Sequence, residues 1–202
     1  WYRSRGLGDV YKRQEFLKAN TYEYPDFDKF NTFPKLLKHR SEIMPDEVAL
    51  RNKDLGIWNE ITWSDYNKIV SELSIGLKSI GFKKGDVLAL IGDNKPEWVF
   101  FELACHANGG MSLGVYRDTL DDEVGYLVKS AKVKFAYAED QEQVDKLINV
   151  QKKLKTKIKV IYDDPRGLEK LKNPNVINMK DLASEGKKQL DKNNKVYENL
   201  IN

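Results

Sequence analysis

Hydrophobic and polar positions alternate along this chain with two different periods, which predicts both helices and strands. The clearest helical period follows Thr62-Trp63-Ser64-Asp65, which fits a capping box. Apolar residues then recur at helical spacing until Gly81, so one face of a helix is expected to be buried. These apolar residues are Tyr66, Ile69, Val70, Leu73, Leu77 and Ile80.

The residues before this helix predict a shorter helix and a hairpin. Residues 31–44 suit a short helix with Pro34 in the first turn, where a missing N–H costs least. Residues 47–53 and 57–62 are β-prone and flank the turn Asp54-Leu55-Gly56. We therefore expect a β-hairpin ahead of the long helix.

From residue 86 onward, short apolar runs alternate with amphipathic segments. Expected strands cover 86–91, 111–116, 133–138 and 158–162, and expected helices cover 95–108, 120–131 and 140–154. Uninterrupted apolar strands that alternate with helices indicate a parallel sheet covered on both faces. The sequence thus predicts an α/β fold with a mostly parallel sheet and helices on both faces. One more short strand and helix are expected within 175–186.

The helix expected at 95–108 is apolar nearly all round, which is typical of a crossover helix packed on more than one side. Asn94 is the expected N-cap and Pro96 lies in the first turn. Asn108-Gly109-Gly110 supplies residues that tolerate a positive φ at the C-terminus.

Four segments make up the expected domain organisation. Residues 1–14 are aperiodic and basic, and they resemble a translated adapter or vector stretch outside the fold. An irregular lead-in follows, then an α/β subdomain, then a polar and truncated C-terminal segment. The boundaries are 1–14, 15–30, 31–186 and 187–202.

Charge gives no evidence for a nucleic-acid partner once the first segment is set aside. The whole chain carries 34 basic and 31 acidic side chains, of which residues 1–14 hold four and one. Residues 15–202 therefore carry 30 of each, and their formal net charge is zero. We expect no nucleic-acid binding from this balance.

Composition indicates a globular chain in a reducing compartment. Hydrophobic residues make up 41% and charged residues 32%, a balance unlike that of disordered chains. The only cysteine, Cys105, cannot form an intramolecular disulfide. No apolar run approaches membrane-spanning length and no signal peptide is recognisable, so a cytoplasmic location is expected.

Gly110-Met111-Ser112-Leu113-Gly114 fits the G-x-S-x-G pattern of serine hydrolases. That nucleophile elbow needs a strand before the serine and a helix after it, whereas here a helix is expected to end at Gly110 and a strand to begin. Both histidines, His39 and His106, precede Ser112, although hydrolases of that fold place the histidine later. We expect the glycines to permit a tight turn and close packing, and Ser112 not to be a nucleophile.

No metal or nucleotide motif emerges from the residues alone. Cys105 and His106 are adjacent on a helix and point in different directions, so no metal ligand set is expected. The first parallel strand is followed by IGDNKPEW rather than by a G-x-G-x-x-G loop, and no G-x-x-x-x-G-K-[ST] loop is present. The residues predict a parallel α/β domain without catalytic residues.

The stretch ITWSDYNKIVSELSIGLKSIGFKKGDVLALIGDNKPEWVFFELACHANGGMSLGVYRDTL resembles the N-terminal part of the AMP-forming acyl-CoA synthetases, which are adenylate-forming enzymes. AEDQEQVDKL and YDDPRGL are similar to bacterial long-chain fatty acid–CoA ligases in particular. The resemblance covers about residues 30–200. It implies the N-terminal subdomain of the adenylate-forming fold, present without the remainder of the enzyme.

Such enzymes adenylate a carboxylic acid with ATP and Mg²⁺, then transfer the acyl group to CoA. The family's ATP-binding loop, its Tyr-Gly-x-Thr-Glu-like motif, its ribose-binding Asp and its catalytic Lys match nothing in this chain. The resemblance therefore implies a scaffold that is inactive alone and binds ATP, Mg²⁺ and CoA only within the full enzyme. A homodimer and peripheral membrane association stay open.

One contact with a ligand is implied by the resemblance. In related synthetases the loop after the strand at 111–115 lies near the CoA nucleotide, which points to Tyr116, Arg117 and Asp118. Tyr116 would stack on adenine and Arg117 would meet a phosphate. Alternatively, Tyr116 is a strand-end core residue and Arg117 is solvated.

A rival hypothesis remains for the chain as a whole. The alternating pattern and Asp93, just past the first parallel strand, also suit a free-standing flavodoxin-like binding domain without catalysis.

Overall fold

The computed structural model describes residues 24–202, so the expected adapter at 1–14 lies outside the described residues. Residues 32–202 form one compact unit. It contains seven helices, here named α1 to α7: Phe33–Ile43, Trp63–Ser79, Pro96–Ala107, Asp121–Ser130, Gln141–Leu154, Met179–Lys192 and Val196–Ile201. Strands β1 and β2, Val48–Asp54 and Ile57–Thr62, form the predicted antiparallel hairpin.

Five further strands form a parallel sheet, as predicted. They are β3 to β7: Val87–Ile91, Met111–Val115, Phe135–Ala138, Lys159–Tyr162 and Val176–Asn178. Their spatial order is β4-β3-β5-β6-β7, which places β3 between β4 and β5. Leu88 is the register partner of both Ser112 and Phe135. The ends of β3 to β6 lie within two residues of the predicted ends, and β7 lies within the segment 175–186 where one more short strand was expected.

Helices cover both faces of this sheet, which confirms the predicted fold class. On one face α2, α3 and α6 bury a cluster that includes Leu73, Phe101 and Leu182. Phe101 stacks on Tyr137 of β5 with ring centroids 4.7 Å apart. On the other face α4 and α5 bury mainly aliphatic residues, among them Val124 and Leu147.

Two short local interactions fix the helix and turn ends that the sequence predicted. Thr62 caps α2, and Thr62 and Asp65 form the reciprocal capping box. Leu55 and Gly56 both have positive φ, 46° and 84°, as a two-residue type I′ hairpin turn requires.

The predicted Asn94 cap is wrong, because α3 begins after Lys95 and no side chain caps it.

Helices α2 and α6 approach each other through glycines. A Cβ at Gly186 would lie 1.8 Å from the carbonyl oxygen of Glu72, and a Cβ at Gly76 would lie 2.5 Å from that of Leu182. No side chain fits between the two backbones at these positions. The boundary expected after residue 186 lies inside α6, which continues to Lys192.

No helix within residues 24–202 combines the length and the apolar character that crossing a membrane requires.

Candidate functional site

The path of the chain creates a crevice at the carboxyl ends of β3 and β5. Helix α3 follows β3 onto one face of the sheet, whereas α5 follows the neighbouring β5 onto the other face. The loops 92–95 and 139–140 therefore diverge between adjacent strands. Such a switch point is where open α/β sheets bind ligands.

Arg117 connects the three loops at this crevice. Its Nη1 lies 2.5 Å from Asp93 Oδ2, and its Nη2 lies 3.4 Å from Asp140 Oδ2 and 4.0 Å from Glu142 Oε2. Lys146 Nζ donates a hydrogen bond of 2.5 Å to the Arg117 carbonyl oxygen. The hydrogen bond to Asp93 raises the pKa of Arg117 above its ordinary value. The loop after β4 is thereby held against the loops that follow β3 and β5.

Glu139 fills the space behind this ion pair. Its carboxylate is buried, pairs with Lys95 Nζ at 2.5 Å and accepts a 2.5 Å hydrogen bond from the Asp93 backbone N–H. A Cβ at Gly92 would lie only 2.8 Å from the Glu139 Cβ, so the close approach of the two loops requires glycine there. The Asp93 backbone is thus held by Glu139, independently of the ion pair between the Asp93 side chain and Arg117.

Further carboxyl groups make the crevice acidic. Burial is the main cause that raises the pKa of Glu97 and of Asp163 above their ordinary values. Asp164 behaves in the opposite way, because hydrogen bonds from Arg166 lower its pKa to about 2. An incoming anion would meet these carboxylates, so Lys95 and Arg117 could bind it only by exchanging their present partners.

Tyr116, Arg117 and Asp118 lie together at the edge of this crevice but are not equivalent. Tyr116 is 88% exposed, so its ring is free to stack on a planar ligand, and it is not a core residue. Asp118 is exposed as well. Arg117, in contrast, is engaged by carboxylates and does not present an unpaired guanidinium to a phosphate. The expected contact of these residues with CoA stays a prediction; the Tyr116 ring is accessible, whereas Arg117 is occupied by Asp93 and Asp140.

Sequence reasoning missed the partners of Arg117. Asp93 and Asp140 lie 24 and 23 residues away in the chain, and only the strand order brings them together. Their position directly after strands was a signal, because the carboxyl ends of parallel strands share one edge of the sheet.

Ser112 lies at a second polar cluster, on β4. It is the second residue of that strand, so the elbow geometry is absent, as predicted. Its Oγ nevertheless lies 3.2 Å from His106 Nε2 and donates a 3.3 Å hydrogen bond to Glu102 Oε1. The order of the residues in the chain did not predict this contact with a histidine.

The cluster differs from a catalytic triad in one decisive respect. Glu102 accepts its hydrogen bond from Ser112, whereas the carboxylate of a triad binds the second histidine nitrogen and orients the ring. The neighbouring Cys105 is fully buried, and burial raises the pKa of its thiol to about 12, so it is a core residue. Within residues 24–202 no three His, Cys, Asp or Glu side chains are arranged to hold a metal ion.

Curated relatives of this chain are fatty acid–CoA ligases. Long-chain-fatty-acid–CoA ligase ACSBG1 of Homo sapiens is 27% identical over 121 residues, which are 59% of this chain and 17% of that protein. The Bos taurus ligase of the same name is 25% identical over 142 residues, 70% of this chain and 19% of that protein. The chain therefore spans less than a fifth of the length of these relatives.

Solved structures with the same fold include adenylate-forming enzymes. A luciferase-like enzyme of the mealworm Zophobas morio aligns over 79% of this chain and 35% of that one, with a TM-score of 0.66 and 16% identity. A protein solved as a long-chain-fatty-acid CoA ligase of Rhodopseudomonas palustris aligns over 76% of this chain and 36% of that one, with a TM-score of 0.63 and 21% identity.

The family model for AMP-binding enzymes matches residues 37–197, which includes nearly all of the compact unit and its parallel sheet. The resemblance inferred from the sequence is thereby confirmed, and the fold is that of the N-terminal subdomain of adenylate-forming enzymes. This chain belongs to the AMP-binding enzyme family.

Proposed function

We propose that this chain is the N-terminal subdomain of an AMP-forming long-chain fatty acid–CoA ligase. The complete enzyme would adenylate a fatty acid with ATP and Mg²⁺, release pyrophosphate and pass the acyl group to CoA. The observation that carries this proposal is the match of residues 37–197 to the AMP-binding enzyme family, together with relatives that are named long-chain-fatty-acid–CoA ligases.

The chemical logic of such a reaction depends on the leaving group. A carboxylate is a poor electrophile, whereas its mixed anhydride with AMP reacts readily with the CoA thiol because AMP leaves easily. The residues that bind ATP and Mg²⁺ would be supplied by the remainder of the enzyme, since none of the family's ATP motifs occurs in these 202 residues. The chain itself would supply a rigid wall beside the CoA and acyl sites.

Within that enzyme we assign Tyr116 to a stacking contact with the adenine of CoA, on the strength of its exposed ring. Arg117 would hold the loop in place through Asp93 and Asp140 and reach a phosphate only after partner exchange. Asp118 would flank them at the exposed surface.

The first test is to read the source DNA beyond the codon for Asn202. The proposal predicts an open frame that continues into a Ser/Thr/Gly-rich loop ending in Pro-Lys-Gly. The protein expressed from that longer frame should release pyrophosphate when it is given ATP and palmitate. An immediate stop codon would favour the rival free-standing binding domain.

A second test uses the 202-residue chain by itself. Incubated with ATP, Mg²⁺, palmitate and CoA, it should release no pyrophosphate above a blank, because it would lack the ATP-binding residues. The matched control is the protein from the extended frame, assayed at the same concentration. Pyrophosphate release by the short chain that requires palmitate would contradict the assignment of these residues to a scaffold.

The flavodoxin-like alternative was favoured by the alternating pattern and by Asp93, just past the first parallel strand. Asp93 is engaged by Arg117 through its side chain and by Glu139 through its backbone N–H. The ligase is therefore the function that the structure and the relatives support best.

A further inference from the structure

Lysines surround a concavity where β5 and β6 begin, at the end of the sheet opposite to the candidate site. The concavity has a volume of about 660 Å³. Val128, Val133 and Leu154 form its apolar floor. Its rim, here called the lysine rim, consists of Lys129, Lys132, Lys134, Lys153, Lys155 and Lys157. A second concavity of about 480 Å³ adjoins it and shares Lys134 and Lys157.

Most of this positive charge is not neutralised by the chain. Lys134 Nζ pairs with Asp86 at 2.7 Å, and Lys153 pairs with Asp122. The remaining four rim lysines form no ion pair with any residue between 24 and 202; they are Lys129, Lys132, Lys155 and Lys157. A chain whose residues 15–202 have no net charge thus presents one strongly basic surface, because acidic residues gather at the opposite end of the sheet.

Two rim lysines have a backbone conformation that residues other than glycine rarely adopt. Lys132 and Lys155 follow α4 and α5 with φ values of 53° and 52°, in the left-handed region that favours glycine. After α3 the corresponding turn uses Gly109 with a φ of 68°. Lys129, Lys132 and Lys155 all lie at helix C-termini, where a positive charge is favoured by the helix dipole. Lys132 and Lys155 therefore place charge at the rim in a backbone conformation that is costly for a residue other than glycine.

We propose that the lysine rim is a docking surface for anionic phospholipid membranes. The ammonium groups of the rim match anionic headgroups, since lysine stems can lie along the protein surface while the charge stays in the polar layer. The residues that line the larger concavity include no aromatic ring and no arginine, the groups that nucleic-acid surfaces use for stacking and bidentate contacts. This inference is independent of the chemistry proposed for the opposite end of the sheet.

The test is sedimentation of the full 202-residue chain with vesicles. Vesicles of phosphatidylcholine with about 30% phosphatidylglycerol should bind the chain, binding should weaken with added salt, and pure phosphatidylcholine should not bind. The quadruple variant K129Q/K132G/K155G/K157Q should lower the partition coefficient about tenfold or more, since each lysine near an anionic surface contributes severalfold. Basic residues in 1–23 stay constant in every variant.

A smaller variant separates binding from folding. K132G/K155G removes two charges and relieves two positive-φ lysines, so its thermal midpoint should stay or rise while its vesicle binding falls. The matched control K170Q/K172Q/K180Q/K192Q removes four exposed lysines that form no ion pair with a described residue, and it should bind like the parent.

Three results would overturn the proposal: equal binding by the quadruple variant and the parent, an equal loss in the control, or equal binding to neutral vesicles. Retention of single-stranded DNA that the quadruple variant loses, without vesicle binding by the parent, would assign the rim to nucleic acid instead.

Discussion

Arg117 Nη1 lies 2.5 Å from Asp93 Oδ2, and this ion pair joins the loop after β4 to the loop after β3. The two residues come from strands that are neighbours in the sheet, although 24 positions separate them in the chain. Because Asp93 is also held by Glu139 through its backbone, the arginine is anchored to a fixed point. This is the shortest of the three contacts between the guanidinium and a carboxylate, so Asp93 is the partner that most limits access of a ligand to Arg117.

Variants at both ends of this pair separate a phosphate contact from a purely structural role. In the complete enzyme proposed above, R117A should raise the KM for CoA about tenfold, the usual size for loss of one charge-assisted hydrogen bond. D93A breaks the same ion pair but keeps the guanidinium, whose remaining contacts with Asp140 and Glu142 are longer, so its KM for CoA should stay or fall. Steady-state kinetics with CoA as the varied substrate provides the measurement. Equal KM increases in both variants would show that Arg117 acts only by holding the loop.

Glycine at the contact of α2 and α6 is required by space. A Cβ at position 186 would overlap the carbonyl oxygen of Glu72, so G186A should lower the free energy of unfolding by about 2–3 kcal/mol through separation of the helices. G125A is the matched control, because its Cβ would lie 3.9 Å from its nearest neighbour, in Val150. Alanine inside α4 should raise the free energy of unfolding by about 0.5–1 kcal/mol. Urea unfolding of the two variants measures both effects, and a stable G186A would contradict the packing.

Features that depend on neighbouring residues were readable from the sequence, and features that depend on strand order were not. The capping box of Thr62 and Asp65 spans four residues, so its pattern in the chain is also its structure. The hydrophobic periodicity of the sequence does not reveal that β3 lies between β4 and β5. For this reason the fold class was predicted, while the meeting of Arg117 with Asp93 was not.

The contact between Ser112 and His106 is a second feature that the sequence did not predict. The sequence predicted that Ser112 would stand near the start of a strand, because the glycines before it end a helix. Its hydrogen-bond distance from His106 arises because α3 packs beside β4, and no rule on chain order contains that information. The two remaining predictions about CoA residues and domain boundaries stay predictions.

The hairpin turn offers a stabilising substitution. Leu55 has a φ of 46° and its side chain is 95% exposed, so it accepts a left-handed conformation without gaining a contact. Asparagine is preferred at this position of a type I′ turn, and L55N should raise the free energy of unfolding by about 0.5–1 kcal/mol. L55A removes the same side chain but keeps the unfavourable φ, so it should leave stability nearly unchanged. Equal gains in L55N and L55A would show that the exposed leucine, rather than the turn, limits stability.

Cys105 should be inert in the folded protein. Its side chain is fully buried, and burial raises the pKa of its thiol to about 12, so almost no thiolate exists near neutral pH. Ellman's reagent at pH 8 should label the native chain only as fast as it unfolds, and should label it at once in concentrated urea. The chain has one cysteine, so the stoichiometry is unambiguous. Rapid labelling without denaturant would show that α3 does not pack as described.

Asp163 should make stability fall as the pH rises. Burial is the largest cause that raises its pKa in the folded state; Asp164 and Glu139 add to the rise, and Lys95 and Lys180 oppose it. A carboxyl whose folded pKa is raised binds its proton more tightly in the folded state. Its contribution is therefore most favourable below its unfolded pKa and is lost as the pH rises through the folded pKa.

The substitution D163N keeps the size of this side chain and removes its charge. The variant should exceed the parent in free energy of unfolding at pH 7.5, and the gain should shrink as the pH approaches the ordinary pKa of an aspartate, where the parent carboxyl is increasingly neutral. Urea unfolding of both proteins at pH 7.5 and pH 4.5 measures the difference. The same comparison for D164N should show the reverse sign, because hydrogen bonds from Arg166 stabilise the Asp164 carboxylate and lower its pKa to about 2. Equal effects of D163N at the two pH values would mean that burial does not disfavour the charged form of Asp163.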